Sequence, residues 1–538
     1  MNSVMLILLA VAAFVVAYIF YGKFIAVKLG IDPSRKTPAH TMNDGVDYVP
    51  AKAPVLLGHH FASIAGAAPI IGPIVAAIFG WIPVAIWILI GGIFMGAVHD
   101  FSALVASVRH EGRSIGEVIE EQIGRRGKLL FLIFSWSTLI LVVAVFIIVV
   151  SRTFEEIPAA ASASSLFILI ALVFGLFLYR MNLSLPVATI FGVLLLSGAL
   201  YLGYLYPLQL SALTWTYILM GYIFVASVTP VWILLQPRDY LNSFILYALL
   251  GLGITGIVVV NPELKIPAYT SFHVKELGYL FPILFVTVAC GAISGFHSLV
   301  ASGTSAKQLN SENDARTVGY GAMLIESVLA IVALITAAML VKENYMDMRS
   351  NPVAVFAHSL GNIMTGFGIP YDAGKTFSSL AVSAFALTSL DTATRLARFA
   401  LQEFFHDRDK PDEKQSLLFR NRYLATLVGV LVAGALVISG QGLKIWPIFG
   451  AANQLLAALA LLAVTVWLTR LKRATWFVKI PMVLMFIITL SALAVMVVHD
   501  IKTGNFLLAA VAAVLFLLAV FLACEAKRSL KESGKQTG

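Results

Sequence analysis

His60, Asp100, His297, Glu326 and Asp391 are ionisable side chains set in otherwise apolar stretches of this chain. A charge at the centre of a bilayer costs ~2.5–3.5 kcal/mol on insertion scales, so such groups face a cavity and a partner. Histidine exchanges protons near neutral pH, and a neighbouring carboxylate tunes that exchange. The set therefore suits moving or gating a proton across an apolar barrier. His59 and His60 project ~100° apart on a helix, so only one of them faces a given partner. His60 is expected to pair with Asp100 at matching depth, and His297 to face the helix that carries His60. Glu326 carries a proton or bonds a helix break. Asp391 and Arg395 lie four residues apart, the spacing of an ion pair on one helix face. His59, His60, His99 and His297 would make a metal centre only if three or four ligands met within ~2.0–2.2 Å of one ion. The sequence has no HExxH, GxSxG, P-loop or CxxC pattern, so no enzyme and no resident cofactor or metal is expected.

These groups need elements to hold them, and the segment GHHFASIAGAAPIIGP, Gly58 to Pro73, is the most telling one. It is apolar, yet carries two histidines, three glycines and two prolines. Inside hydrocarbon an interrupted helix survives only where protein or a cavity satisfies the freed backbone groups. The expectation is a broken helix whose Ala65, Gly66, Ala67 and Ala68 line a solute site. A second interruption is expected at Ser227, Thr229, Val231 and Trp232, where Thr229-Pro230 has the form of an N-cap followed by proline at the first helical position. Two half-helix N-termini would then present unpaired N–H groups to a small anion, above all a carboxylate. A third irregular stretch, Cys290 to Leu309, offers Ser294, Gly295, Ser298 and Ser302 as oxygen ligands for a cation. The expected coupling ion is H+, with Na+ as the alternative.

The whole chain supports a membrane setting. Of 538 residues, 59% are hydrophobic and 12% charged, about half the charge of a soluble protein. Fifteen apolar spans can be drawn, beginning at 3, 58, 83, 128, 163, 185, 213, 241, 279, 317, 375, 421, 447, 479 and 504, with a short non-crossing helix at 352–366. With the N-terminus outside, 29 of the 37 Lys and Arg fall on the inner side, as the positive-inside rule requires. That placement turns the net charge of +9 toward anionic lipid and away from nucleic acid. Ten spans from residue 58 divide into two sets of five that run in opposite senses, an inverted repeat with the first helix of each half discontinuous. The units are an N-terminal extra helix and loop (1–57), a first repeat (58–210), a second repeat (211–402), and four further helices with a cytoplasmic tail (403–538). Cys290 and Cys524 sit in separate apolar runs and form no disulfide framework.

Several long segments resemble the carbon starvation protein A (CstA) family of bacterial transporters. They are DGVDYVPAKAPVLLGHHFASIAG (Asp44 to Gly66), GAVHDF (Gly96 to Phe101), HEGRSIGE (His110 to Glu117), PVWILLQPRDYLNS (Pro230 to Ser243), SGFHSLVASGTSAKQL (Ser294 to Leu309), LDTATRLARF (Leu390 to Phe399) and IFGAANQLLAALALL (Ile448 to Leu462). The resemblance implies a leucine-transporter-like core, uptake of pyruvate with protons or of peptides, and in some members a very small companion protein. The expected protein is thus an all-α polytopic transporter of the inner membrane, its C-terminus cytoplasmic. It imports a small carboxylate by alternating access. A peptide or amino-acid importer and a nutrient sensor that moves nothing are the alternatives.

Overall fold

In hydrocarbon there is no water to bond the backbone, so an apolar chain satisfies its amides and carbonyls within helices. The computed structural model describes residues 2–45, 48–179, 185–230, 234–406, 415–440 and 442–536, and it is helical apart from a small hairpin of β1 (His273–Val274) and β2 (Gly278–Tyr279). In chain order the main helices are α1 (Ser3–Leu29), α2 (Ala53–Ile64), α3 (Ala68–Phe79), α4 (Trp81–Arg109), α5 (Ile115–Ile123), α6 (Arg125–Glu156), α7 (Pro158–Tyr179), α8 (Leu185–Leu205), α9 (Ala212–Val228) and α10 (Leu235–Val260). Then come α11 (Leu280–Thr287), α12 (starting with Phe296–Val300 and continuing to residue 308), α13 (Arg316–Ala338), α14 (Pro352–Thr365), α15 (Tyr371–Phe404), α16 (Arg422–Ile438), α17 (Trp446–Arg470), α18 (Trp476–Lys502) and α19 (Phe506–Gln536).

Among the described residues nine helices are long and apolar enough to cross a membrane, or ten with the bent α2–α3 pair as one span. The protein is therefore a multi-pass membrane protein. Other helices of the expected fifteen spans do not reach that measure. Helices α9 and α16 have only 17 residues each. Helix α15 has 34 residues, about 51 Å of helix, but is rich in Ser and Thr because its inner faces are buried in protein, not lipid. A helix does occupy Pro352–Thr365, where a short one was expected.

Burial separates centre from rim. The apolar window of α17 is wholly buried, those of α13 and α6 are 89% and 83% buried, and those of α1 and α19 only 33%. Helices α6 and α15 lie along each other and form the most extensive pair, α3 packs on α13, α2 on α10, and α17 on α6 and α4.

Two interruptions face this centre. Helix α2 stops at Ile64, α3 starts at Ala68, and their axes bend by 48°. Pro69, in the first turn of α3, lacks an N–H to extend the ladder backward. The other interruption lies between α11 and Phe296 and spans residues 288–295. The chain also leaves its helix after Val228, within the stretch Ser227–Trp232 where the sequence suggested a break. Helix α9 ends at Val228, and no helix starts at Pro230. Thr229 is a C-cap whose hydroxyl donates to the Val225 carbonyl at 2.7 Å. Val231 and Trp232 lie outside the described residues.

The second interruption is packed tightly against α17. A Cβ on Gly295 would fall 2.4 Å from both the Ala457 nitrogen and the Asn453 carbonyl oxygen. Backbone cannot yield as a side-chain tip does, so Gly295→Ala is expected to exceed the ~1–3 kcal/mol usual for overpacking. Thermal melting of detergent-purified protein should show a large loss of stability; an unchanged midpoint would refute the packing.

Candidate functional site

A small cavity sits where the two interruptions meet the central helices. The first contributes Ile64, Gly66 and Ala68, and the second Cys290 and Phe296. Val142 and Phe146 of α6, Ser389 of α15, and Phe449 and Asn453 of α17 complete the wall. Its volume is about 10 Å3, room for roughly one water. A larger cavity of about 450 Å3 lies among Trp87, Phe281, Phe285 and Ile487, but its wall is almost wholly apolar and offers nothing to read a solute.

Three polar groups at or next to the small cavity lack partners among the described residues. The amides of Ala67 and Ala68, at the start of α3, have no acceptor among the described residues, and α3 has no side-chain cap. The Ser389 hydroxyl is buried and unbonded, and it stands 2.3 Å from where a Cβ on Gly66 would be. Buried backbone amides are rarely left orphaned, and a helix N-terminus carries partial positive charge. Together these groups suit one oxyanion.

At the other interruption Asn453 takes two of the backbone amides. Asn453 Oδ1 accepts from the Phe296 amide at 2.9 Å, and its carbonyl accepts from the Gly295 amide at 2.9 Å. The carbonyl end of α11 receives Gln454 Nε2 on Phe285 O (2.8 Å), Trp446 Nε1 on Thr287 O (3.3 Å) and Trp87 Nε1 on Val288 O (3.1 Å).

Beside it runs a buried chain of acids and imidazoles. Asp100 accepts from His99 Nδ1 at 2.6 Å and from His297 Nδ1 at 2.8 Å. His297 Nε2 lies 3.3 Å from Glu326 Oε2, out of hydrogen-bond alignment, and neither that nitrogen nor either Glu326 oxygen has another partner. An ionised carboxylate only accepts, so His297 donates from Nδ1 to Asp100. Its Nε2 then meets Glu326 lone pair to lone pair unless one proton lies between them. Cys290, His297 and Glu326 also bring ligand-type atoms within 4.8 Å of one another.

The structure thus joins Asp100, His297 and Glu326 but re-pairs two residues expected elsewhere. His60 does not bond Asp100; its Nδ1 meets Ser305 Oγ at 2.8 Å. The reason is position: His297, next to the second interruption, reaches the carboxylate first. Asp391 does not pair with Arg395 but with Arg238 of α10 and the Tyr222 hydroxyl (2.7 Å). Arg395 instead donates to the carbonyls of Ala226 and Thr229, and Arg398 to that of Ser227 at 2.7 Å. Two guanidinium groups thereby close the C-terminus of α9, the electrostatically favourable end for cations. Ser227 and Thr229 therefore belong to a carbonyl end and not to an anion-binding amide end.

The expected cation ligands are also spread. Ser298 and Ser302 donate to carbonyls of their own helix, Gly295 O and Ser298 O, both at 2.7 Å. Gly295 donates its amide to α17, and Ser294 Oγ accepts from Asn453 Nδ2 at 2.9 Å. Sequence reasoning missed Ser389 and Asn453. Asn453 had a signal, an Asn-Gln pair inside an otherwise apolar run. Ser389 had none, being one of many small hydroxylated residues on α15.

Comparison with known proteins agrees with this architecture. A family model described as carbon starvation protein CstA matches residues 2–355 and 346–492. The chain is 34% identical to the pyruvate/proton symporter BtsT of Escherichia coli, over 91% of this chain and 81% of that protein. It is 34% identical to the peptide transporter CstA of Campylobacter jejuni, over 91% and 79%, and 36% identical to the peptide transporter CstA of Bacillus subtilis, over 86% and 84%. A crystal structure of the manganese transporter of Eremococcus coleocola superposes with a TM-score of 0.52 at 12% identity, over 91% of this chain and 99% of that one, a likeness of fold alone.

Proposed function

We propose, because this chain belongs to the carbon starvation protein CstA family, that it imports a small monocarboxylate such as pyruvate together with a proton, by alternating access. The observation that carries this reading is the orphaned donor set of Ala68 and Ser389, which line a small cavity at a helix break, and of Ala67 next to it. A carboxylate supplies the missing acceptors, and charge-assisted bonds of this kind contribute about 1.5–3 kcal/mol each. The cavity as it stands holds about one water, so on this reading cargo enters only when the helices around the break part, and the aromatic walls of Phe146, Phe296 and Phe449 then suit a short apolar body. A peptide zwitterion fits less well, because no acidic side chain lines this cavity among the described residues to receive an ammonium group. The proton moves through Glu326, His297 and Asp100, one step from the cavity through Cys290 and Phe296. His60 and Asp391 serve as supports for the moving helices on either side. Sodium finds no assembled oxygen cage at Ser294, Ser298 and Ser302, which favours H+.

The two inverted halves, on this reading, are best drawn as 53–260 and 280–470, each opening on a broken helix. In the first, α2–α3, α4, α6, α9 and α10 follow in turn, with α7 and α8 an inserted hairpin; in the second, α11–α12, α13, α15, α16 and α17 follow in turn. The amphipathic α5 and α14 precede α6 and α15 at equivalent places, and α6 pairs with α15 as equivalent helices across the repeat. One N-terminal, two inserted and two C-terminal helices make up the fifteen crossings. The chain sits in the bacterial inner membrane with its N-terminus outside, since this puts 29 of 37 basic residues inside. Its exposed rim helices contact lipid and leave room for a very small companion protein.

Proteoliposomes test the reading. Labelled pyruvate is expected to accumulate under an inward-directed proton gradient in sodium-free buffer, and unlabelled dialanine is expected not to compete. Accumulation of dialanine without pyruvate uptake would make the peptide reading the correct one. Binding of pyruvate without any counterflow would make the protein a sensor.

A further inference from the structure

The two breaks around the cavity are chemically unequal. At the first, the amides of Ala67 and Ala68 have no acceptor among the described residues and there is no side-chain cap. At the second, one residue of α17 occupies the corresponding amides. Asn453, fully buried, takes the Phe296 amide on Oδ1 and the Gly295 amide on its carbonyl, and gives Nδ2 to Ser294 Oγ at 2.9 Å and Cys290 Sγ at 3.4 Å. It also lines the cavity. The cavity therefore has one anion-receptive end and one wall whose polarity is spent and whose charge is zero.

We propose that Asn453 is a specificity-determining residue: its neutral amide closes the second break and keeps that wall uncharged, so the cavity accepts a monoanion and excludes a solute that also carries an ammonium group. This rests on the monocarboxylate reading above and adds to it the residue that enforces the choice. The geometry makes the claim sharp. Aspartate has the shape of asparagine. At this position it keeps the bond from the Phe296 amide, and the hydrogens of Ser294 Oγ and Cys290 Sγ turn to donate where they previously accepted. The exchange alters charge and little else. A carboxylate here repels the cargo's own carboxylate and receives an ammonium, so Asn453→Asp should trade a 2-oxo acid for the matching 2-amino acid.

The experiment is counterflow in proteoliposomes with labelled pyruvate and labelled L-alanine, on the wild type, Asn453→Asp and Asn453→Ser. Wild type should carry pyruvate and exclude alanine. Asn453→Asp should raise the KM for pyruvate at least ~10-fold, since like charges placed together are strongly unfavourable, and should take up alanine. Asn453→Ser, uncharged but lacking the cap, should carry pyruvate more weakly and still exclude alanine. Asn453→Asp with a pyruvate KM within twofold of wild type and no alanine uptake overturns the proposal. So does failure of Asn453→Asp to yield folded protein, because the argument requires aspartate to fit. Alanine uptake by Asn453→Ser also overturns it, since charge would not be the cause. A wild type that carries no monocarboxylate instead sinks the functional reading itself.

Discussion

Glu326→Gln should abolish proton-driven accumulation of cargo while leaving cargo exchange running. One proton falling through one pH unit is worth about 1.4 kcal/mol, a tenfold accumulation of a co-transported monoanion. The variant should lower that ratio to unity at any pH gradient. Glutamine keeps the shape of Glu326, and its amide can donate to His297 Nε2, which now faces Glu326 Oε2 at 3.3 Å. A fixed hydrogen then stands where a mobile proton is needed. Helix packing is untouched, so exchange of labelled for unlabelled pyruvate should stay within a few-fold of wild type. Asp100→Asn is the less clean probe. It leaves one acceptor oxygen where His99 and His297 each use one, so one of the two histidines loses its partner, and breaking one side of a buried pair costs about 3–5 kcal/mol. Undiminished accumulation by Glu326→Gln would rule out this chain as the proton route.

Gly66→Ala should close the cargo site. The new methyl would lie 2.3 Å from Ser389 Oγ and 3.1 Å from its Cβ, with Phe146 Cζ at 3.4 Å behind. In a cavity of about 10 Å3 that methyl takes the space the carboxylate needs, and Ser389 must rotate away. Losing two charge-assisted bonds costs about 3 kcal/mol or more, on the order of 100-fold in affinity. Gly66 lies in the break outside both helices, so the change does not disturb a helical ladder. Melting temperature should hold while uptake collapses. Gly66→Ala with Ser389→Gly restores the space but not the hydroxyl, and should recover part of the activity. Wild-type KM in the single variant would mean that cargo binds elsewhere.

The two variants probe different links between structure and transport. Gly66 reports on the place where the chain leaves its amides uncapped, and Glu326 on the place where it leaves a proton position between two acceptors. Both lie at the junction of α2–α3, α12 and α13, with Cys290 common to the cavity wall and the ligand-type cluster. Next to His297, the start of α12 is tied to α17 through Asn453 and Gly295.

Much of this was legible in the residues. The break at Ala65–Ala68 follows from glycine and proline inside an apolar run, a local conflict that needs no tertiary knowledge. The buried Asp100, His297 and Glu326 stand out for the same reason: charge in hydrocarbon demands a partner. Membership of the family is carried by long contiguous motifs. Pairing, however, is a matter of distance in space. His60 and Asp100 match in depth along their helices, but depth says nothing about azimuth, and the structure gives Asp100 to His297. Asp391 and Arg395 have the spacing for a pair on one helix, yet Arg238 from α10 takes the carboxylate and leaves Arg395 to the carbonyls of α9.

The sequence by itself determined that the chain is a helical membrane protein, where α2 breaks, and which acids and imidazoles lie in apolar stretches and need partners. Each follows from local physics, since apolarity, backbone interruption and the price of an isolated charge are properties of a residue and its neighbours. Only the tertiary structure decided that the second break lies at 288–295, that Asn453 caps it, and that Ser389 faces Gly66. Those depend on which helices touch and how each is turned about its axis. Rotation is set by packing summed over many contacts, and no single stretch of chain encodes it.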